Sequence, residues 1–136
     1  MARDRITERR LVDVLVSHFR RQFAIQREVK FYEKRIDIAA ICHDTDELWA
    51  IEAKTEKWTH AVGQAIVNLA AADRSFVALY SGNIHRVSLD LLDRHGIGLI
   101  SVGTRWGDVQ IIKHPLISRF TNRLASHRIR ADICGA

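Results

Sequence analysis

The chain has little of what marks several large protein classes. Its 136 residues include two cysteines, Cys42 and Cys134, one proline and seven glycines. Two cysteines that far apart make neither a disulfide framework nor a CxxC motif, which points to a reducing cytoplasm as the site of action. The scarcity of proline and glycine excludes collagen-like and low-complexity chains. No apolar run approaches the roughly 18 residues of a membrane span, and the opening MARDRITERR is too charged for a secretory signal. HExxH, Walker A, GxGxxG and GxSxG motifs are all missing, which argues against P-loop NTPases, dinucleotide enzymes and serine hydrolases. The seven histidines are scattered, and none is spaced with a cysteine as zinc ligands are.

What is present describes a globular domain. Apolar residues make up 47% and charged residues 27%, an ordinary balance that fits one domain over residues 1–136. Lys plus Arg total 21 against 16 Asp plus Glu, a net charge of +5 that favours nucleic acid or another polyanion as partner.

Periodicity outlines the elements. Leu11, Val12, Leu15, Val16 and Phe19 recur at helical spacing, with Thr7 as N-cap and Ile6 and Leu11 as a hydrophobic staple, so a helix is expected over about 8–21. Strands follow at 25–32, 35–42 and 47–54, the last two joined by the polar turn His43–Asp44–Thr45–Asp46. A helix is expected at 58–73, with Ala61, Val62, Ala65 and Leu69 on its apolar face. Next come a buried strand at 75–80, a short helix at 86–94, a strand at 97–102 and an edge strand at 108–113. A basic C-terminal helix is expected at about 116–130, its 116–127 part carrying Leu116, Phe120 and Leu124 in one stripe. The order predicts an α/β fold: a central mixed β-sheet, made of a three-strand antiparallel meander plus following strands, flanked by helices.

Three polar residues interrupt apolar strands: Asp37, Glu52 and Lys54. Buried carboxylates are costly unless a cation compensates them. If the turn centres between Asp44 and Thr45, the hairpin pairs Ile38 with Ile51, Ala39 with Ala50, Ala40 with Trp49 and Ile41 with Leu48. Both faces then stay apolar, and Asp37 falls opposite Glu52, with Cβ atoms roughly 5 Å apart. Alternation puts Lys54 on the same face as Glu52. Two opposed carboxylates repel, and a divalent cation between them turns repulsion into chelation. An all-oxygen site with a spare backbone carbonyl suits Mg²⁺ or Mn²⁺. A neighbouring lysine can stabilise a phosphoryl oxygen or orient an attacking water. Metal-assisted phosphodiester hydrolysis is the chemistry these parts suggest.

Asp37 followed after fourteen residues by Glu52–Ala53–Lys54, on the second and third strands after an opening helix, resembles the PD-(D/E)xK nuclease superfamily. That superfamily includes restriction endonucleases, archaeal Holliday-junction resolvases and many repair and defence nucleases. The likeness covers roughly residues 6–102. It implies a restriction-endonuclease-like fold and a Mg²⁺- or Mn²⁺-dependent nuclease acting on DNA, with RNA as a further option. It also implies metal binding by Asp37, Glu52 and the backbone carbonyl of Ala53, and water activation by Lys54. Glu8 matches an acidic residue that many members place near the metal, and Gln64 a glutamine common in several branches. Ile36 stands where the family name has proline, and Asn68 where some branches have tyrosine.

A second (D/E)xK string, Glu28–Val29–Lys30, has no preceding strand with an aspartate and reads as a solvated strand face. Lys57, just after the motif, and Arg119, Arg123 and Arg128 in the C-terminal segment are candidate phosphate contacts, with capping and a solvated helix face as the alternatives. A homodimer is expected, because one triad cuts one strand and the 116–127 stripe and the 108–113 edge offer surfaces to cover. Two other functions stay open on the residues alone: an inactive nucleic-acid-binding module on the same fold, and a structural protein in which Asp37, Glu52 and Lys54 form a buried ion-pair network.

Overall fold

The computed structural model describes residues 6–135. Helix α1 (Glu8–Phe19) opens the chain, and Thr7 caps it by accepting the Arg10 N–H at 3.1 Å. Strands β1 (Phe23–Phe31), β2 (Lys34–Cys42) and β3 (Leu48–Lys54) follow. Then come α2 (Trp58–Asn68), β4 (Arg74–Tyr80), a 3-10 turn (Ser81–Arg86), α3 (Leu89–His95), β5 (Gly98–Val102), β6 (Val109–Lys113) and α4 (Arg123–Cys134).

The six strands form one sheet in chain order. β1, β2 and β3 make the antiparallel meander, β3, β4 and β5 run parallel, and β6 returns antiparallel at the far edge. The β2–β3 pairs are Ile38·Ile51, Ala39·Ala50, Ala40·Trp49 and Ile41·Leu48, the register expected from the apolar pattern. Strand alternation divides the core between two faces. Ile38, Ala40, Ile51, Ala53, Phe76 and Ala78 pack against Leu11, Val14, Leu15 and Phe19 of α1. Ala39 and Ala50 pack with Ile129 of α4, and Val77 and Leu99 with α2 and α3. Among the described residues no helix is long and apolar enough to cross a membrane.

Several boundaries differ from those expected. α1 stops at Phe19 and α2 at Asn68, and the helix expected at 86–94 is α3, which starts later, capped by Ser88 and Gly96, after a 3-10 turn. The main correction is at the C-terminus, where 116–122 is irregular chain and the helix starts only at Arg123. The cause lies in the turn just after α2, residues 69–72, whose carbonyls take donors from this segment. Ser118 donates its hydroxyl to Leu69 C=O at 2.6 Å, Thr121 its hydroxyl to Ala72 C=O at 3.2 Å, and Asn122 its N–H to Ala70 C=O at 2.7 Å. Asn122 then caps α4 by accepting the Ala125 N–H at 3.1 Å. Leu116, Phe120 and Leu124 therefore share no helix stripe, though each is exposed. The helical stripe expected as a dimer surface is therefore not formed, while the three apolar side chains stay exposed.

The start of β3 is tied down by charge. Arg74 donates from Nε to Glu47 Oε1 at 2.9 Å and from Nη1 to the Pro115 carbonyl at 3.0 Å. The Arg74 hydrogen bond holds the Glu47 carboxyl below the usual carboxylate range. A depressed folded-state pKa gives stability that is present above the unfolded pKa and lost as pH falls through the folded one. Glu47→Gln should therefore lower stability at pH 7 by about 1 kcal/mol. The difference from the parent should shrink below the carboxylate range, as read by thermal melts between pH 7 and pH 3. A pH-independent difference would contradict the pairing.

Candidate functional site

The sheet opens where the functional residues sit. The β2–β3 ladder ends at Ile38·Ile51. Its next hydrogen-bonded position would set Ala53 against Ile36. Instead the Ala53 N–H donates to Asp37 Oδ2 at 2.8 Å. In an antiparallel ladder the N–H and C=O of one residue face the same neighbour, so the Ala53 carbonyl also turns to the Asp37 side. On the other flank β1 pairs Arg27 with Ile38 and Val29 with Ile36, and skips the position of Glu28 opposite Asp37. Glu28 has φ of 51°, left-handed for a residue with a side chain, a strain of about 1–3 kcal/mol. Asp37 is thus released from both neighbouring strands. It lines a cleft of about 460 Å³ with Glu8, Arg9, Val12, Arg27 and Glu28.

Glu52 has no exposed surface. Its Oε2 accepts from Asn68 Nδ2 at 2.7 Å and from Lys34 Nζ at 3.5 Å. Its Oε1 is buried with no hydrogen-bond partner among the described residues, and so is Oε1 of Gln64. Lys34 also donates to Asn68 Oδ1 at 2.9 Å and to the Gln64 carbonyl at 3.3 Å. Burial pushes the Glu52 carboxyl up from its ordinary value, and the nearby charge of Asp37 pushes it further. Burial raises Asp37 as well, partly offset by the Ala53 N–H and by Lys54.

Lys54 ends β3 and lies opposite Leu79 in the parallel ladder with β4. Its ammonium lies 3.6 Å from Glu8 Oε1 at the start of α1. The β2–β3 ladder has ended here, but β3 stays paired with β4 through Lys54.

The structure thus gathers Asp37, Glu52, Ala53, Lys54 and Glu8 around the parting of β2 and β3, with Gln64 linked through Lys34. Among the described residues no three His, Cys, Asp or Glu side chains stand together as a metal cage. The donor set on offer is two carboxylates and one backbone carbonyl. The buried, unpartnered Glu52 Oε1 and the raised carboxyls fit a hard cation there. Lys57 is exposed at the start of α2 and caps it with no side-chain bond. Arg119, Arg123 and Arg128 are exposed and lie outside the lining of the Asp37 cleft, and Arg119 precedes the helix that Arg123 begins. Arg130 is a structural tie, donating to Ser126 Oγ, the Asp46 carbonyl and Asp73 Oδ2.

Sequence reasoning missed Lys34, Arg9 and Arg27 as site residues; Glu28, read as a solvated strand face, is indeed exposed on β1 while bordering the cleft. It noted Asn68 only as a departure from tyrosine. Asn68 did carry a signal: it is a polar residue one turn after Gln64 on a helix face otherwise made of Ala61, Ala65 and Leu69.

No protein-family model matches the chain, and no curated protein matches it in sequence. Solved structures similar to the chain include the following two. SPO1766, a protein of unknown function from Silicibacter pomeroyi, aligns at a TM-score of 0.76 with 18% identity, over 98% of this chain and 87% of that one. A repair endonuclease from Pyrococcus abyssi aligns at 0.53, also with 18% identity, over 76% of this chain and half of that one. At this identity the likeness bears on the fold alone: an α/β architecture that this chain shares, over about three quarters of its length, with part of a repair endonuclease.

Carboxyls raised by burial make the ionised pair a burden on the cation-free fold. A raised folded-state pKa gives stability that is full below the unfolded pKa and lost as pH rises through the folded one. Asp37→Asn should therefore raise the melting temperature in EDTA at pH 7 by about 3 °C. The gain should vanish as pH falls through the carboxylate range. A lower melting temperature at pH 7 would mean that Asp37 is a stabilising ion-pair partner.

Proposed function

We propose that this chain is a metal-dependent nuclease that hydrolyses phosphodiester bonds in DNA. The observation that carries the reading is a carboxylate pair where β2 and β3 part: Glu52, fully buried with Oε1 unpartnered, and the half-buried Asp37, whose charge acts on it. Asp37, Glu52 and the Ala53 carbonyl would hold Mg²⁺ or Mn²⁺, whose preference is for such hard oxygen donors. When bound, the ion supplies Lewis-acid polarisation of a phosphoryl oxygen.

The chain's own groups do the rest. Asp37 is fixed by the Ala53 N–H on one oxygen, leaving the other to face the cleft. Lys54 brings a cationic donor whose place is set by Glu8. From there it orients a water or stabilises charge on a phosphoryl oxygen. Arg9 and Arg27 on the cleft lining meet phosphates beside the scissile one. Lys57 and the exposed Arg119, Arg123 and Arg128 add a diffuse positive field that draws DNA in. The net charge of +5 and the fold shared with a repair endonuclease support the same reading.

A purely structural ion-pair network draws support from one observation, the bonds of Asn68 and Lys34 to Glu52 Oε2. It leaves Oε1 without a reason. Cleavage of plasmid and single-stranded DNA with Mn²⁺, Mg²⁺ or EDTA separates the two. The wild-type chain should cleave with metal and fall silent in EDTA. Asp37→Ala and Glu52→Ala should lose at least about 100-fold in rate and weaken Mn²⁺ binding, whereas Lys54→Ala should lose similar activity yet keep Mn²⁺. A chain that neither cleaves DNA nor binds Mn²⁺ would favour the structural network.

A further inference from the structure

We propose that Lys34 and Asn68 form a relay that holds Glu52 with one oxygen closed and the other presented to a divalent cation. This rests on the metal-dependent reading above and assigns positioning residues to it. Lys34 begins β2, and Asn68 is the last residue of α2. Neither belongs to the Asp37–Glu52–Lys54 set. Both meet at a carboxylate that has no exposed surface.

The chemistry of the partners fixes the direction of the relay. A lysine ammonium only donates, and an ionised carboxylate only accepts. An asparagine between them must turn its oxygen to the lysine and its NH₂ to the glutamate. The distances follow that order: Lys34 Nζ to Asn68 Oδ1 is 2.9 Å, and Asn68 Nδ2 to Glu52 Oε2 is 2.7 Å. Reversing the amide would set NH₂ against an ammonium and a carbonyl against a carboxylate. Lys34 itself is anchored by the Gln64 carbonyl at 3.3 Å, and its direct approach to Glu52 is the longest of its three bonds, at 3.5 Å. Lys34 therefore acts on Glu52 mainly through Asn68. Both contacts fall on Oε2, and Oε1 remains buried with no partner among the described residues. A carboxylate held in this way has one rotation and one open oxygen. Groups behind the ligands that orient them govern metal affinity by about 10–100-fold.

Charge alone points the other way. Lys34 is a cation close to the carboxylates, and removing it would tighten binding of a second cation if repulsion were its only effect. The direction of change in Lys34→Met is therefore diagnostic. Mn²⁺ binding is measured by calorimetry on the wild type, Lys34→Met, Asn68→Ala and the double variant, with a thermal melt of each to confirm folding. Asn68→Ala should weaken Mn²⁺ binding about tenfold. Lys34→Met should also weaken it, and the double variant should be no weaker than Asn68→Ala alone, because the lysine works through the amide. A merely structural role would lower melting temperatures and leave the Mn²⁺ affinity of the folded fraction unchanged. Unchanged affinity in Asn68→Ala, or tighter binding in Lys34→Met, overturns the relay while the metal reading stands. If Asn68→Ala does not fold, Lys34→Met decides alone, since its side chain lies at a partly exposed position. A wild type that binds no Mn²⁺ overturns the metal reading and the relay with it.

Discussion

Glu52 is a carboxylate with no contact with water, on a central strand, near a second, half-buried carboxylate, Asp37. Such a charge must be answered by hydrogen bonds, by a cation or by a proton. The chain answers half of it. Asn68 and Lys34 satisfy Oε2, the Ala53 N–H steadies Asp37, and Lys54 is drawn to the same place but pairs with Glu8. Both carboxyls remain raised above their ordinary values. A fold that kept this arrangement only for stability would do better with apolar residues of similar volume. The unanswered half is what a divalent cation supplies.

The architecture serves that one constraint. Ala39, Ala50, Ile38 and Ile51 clamp the hairpin up to the last ladder rung, and beyond it the strands part. The skipped pairing at Glu28 releases β2 on its other flank, at the cost of a left-handed backbone. β3 is held on its far side by a parallel ladder to β4 that runs through Glu52 to Lys54. The carboxylates therefore open from one rigid strand and one locally released strand. α1 delivers Glu8 and α2 delivers Asn68 and Gln64 to the two flanks of the opening.

Much of this was legible in the sequence because it is local. Apolar alternation fixes strands and register, so the four observed rungs of the β2–β3 hairpin follow from which pairs keep both faces apolar. Thr7 and Ile6 announce the first helix. The rest depends on contacts between distant residues. Lys34 and Asn68 meet only after β2 and α2 are packed, and no spacing rule links them. Ser118 and Thr121 give up helix for carbonyls in the turn after α2, contacts invisible until that turn is in place. The left-handed turn of Glu28 has no signature in residue type, since glutamate is not a residue that seeks it. The ion pair of Lys54 with Glu8 joins the end of β3 to the start of α1, residues far apart in the chain.

The central claim is that the opening between β2 and β3 is a cation site. Anomalous diffraction from crystals grown without metal and soaked in Mn²⁺ tests it most directly. The account predicts one strong peak between Asp37 and Glu52, about 2 Å from Glu52 Oε1, an Asp37 oxygen and the Ala53 carbonyl, with Oε2 still held by Asn68. An empty opening, or Mn²⁺ found only elsewhere on the surface, would contradict it.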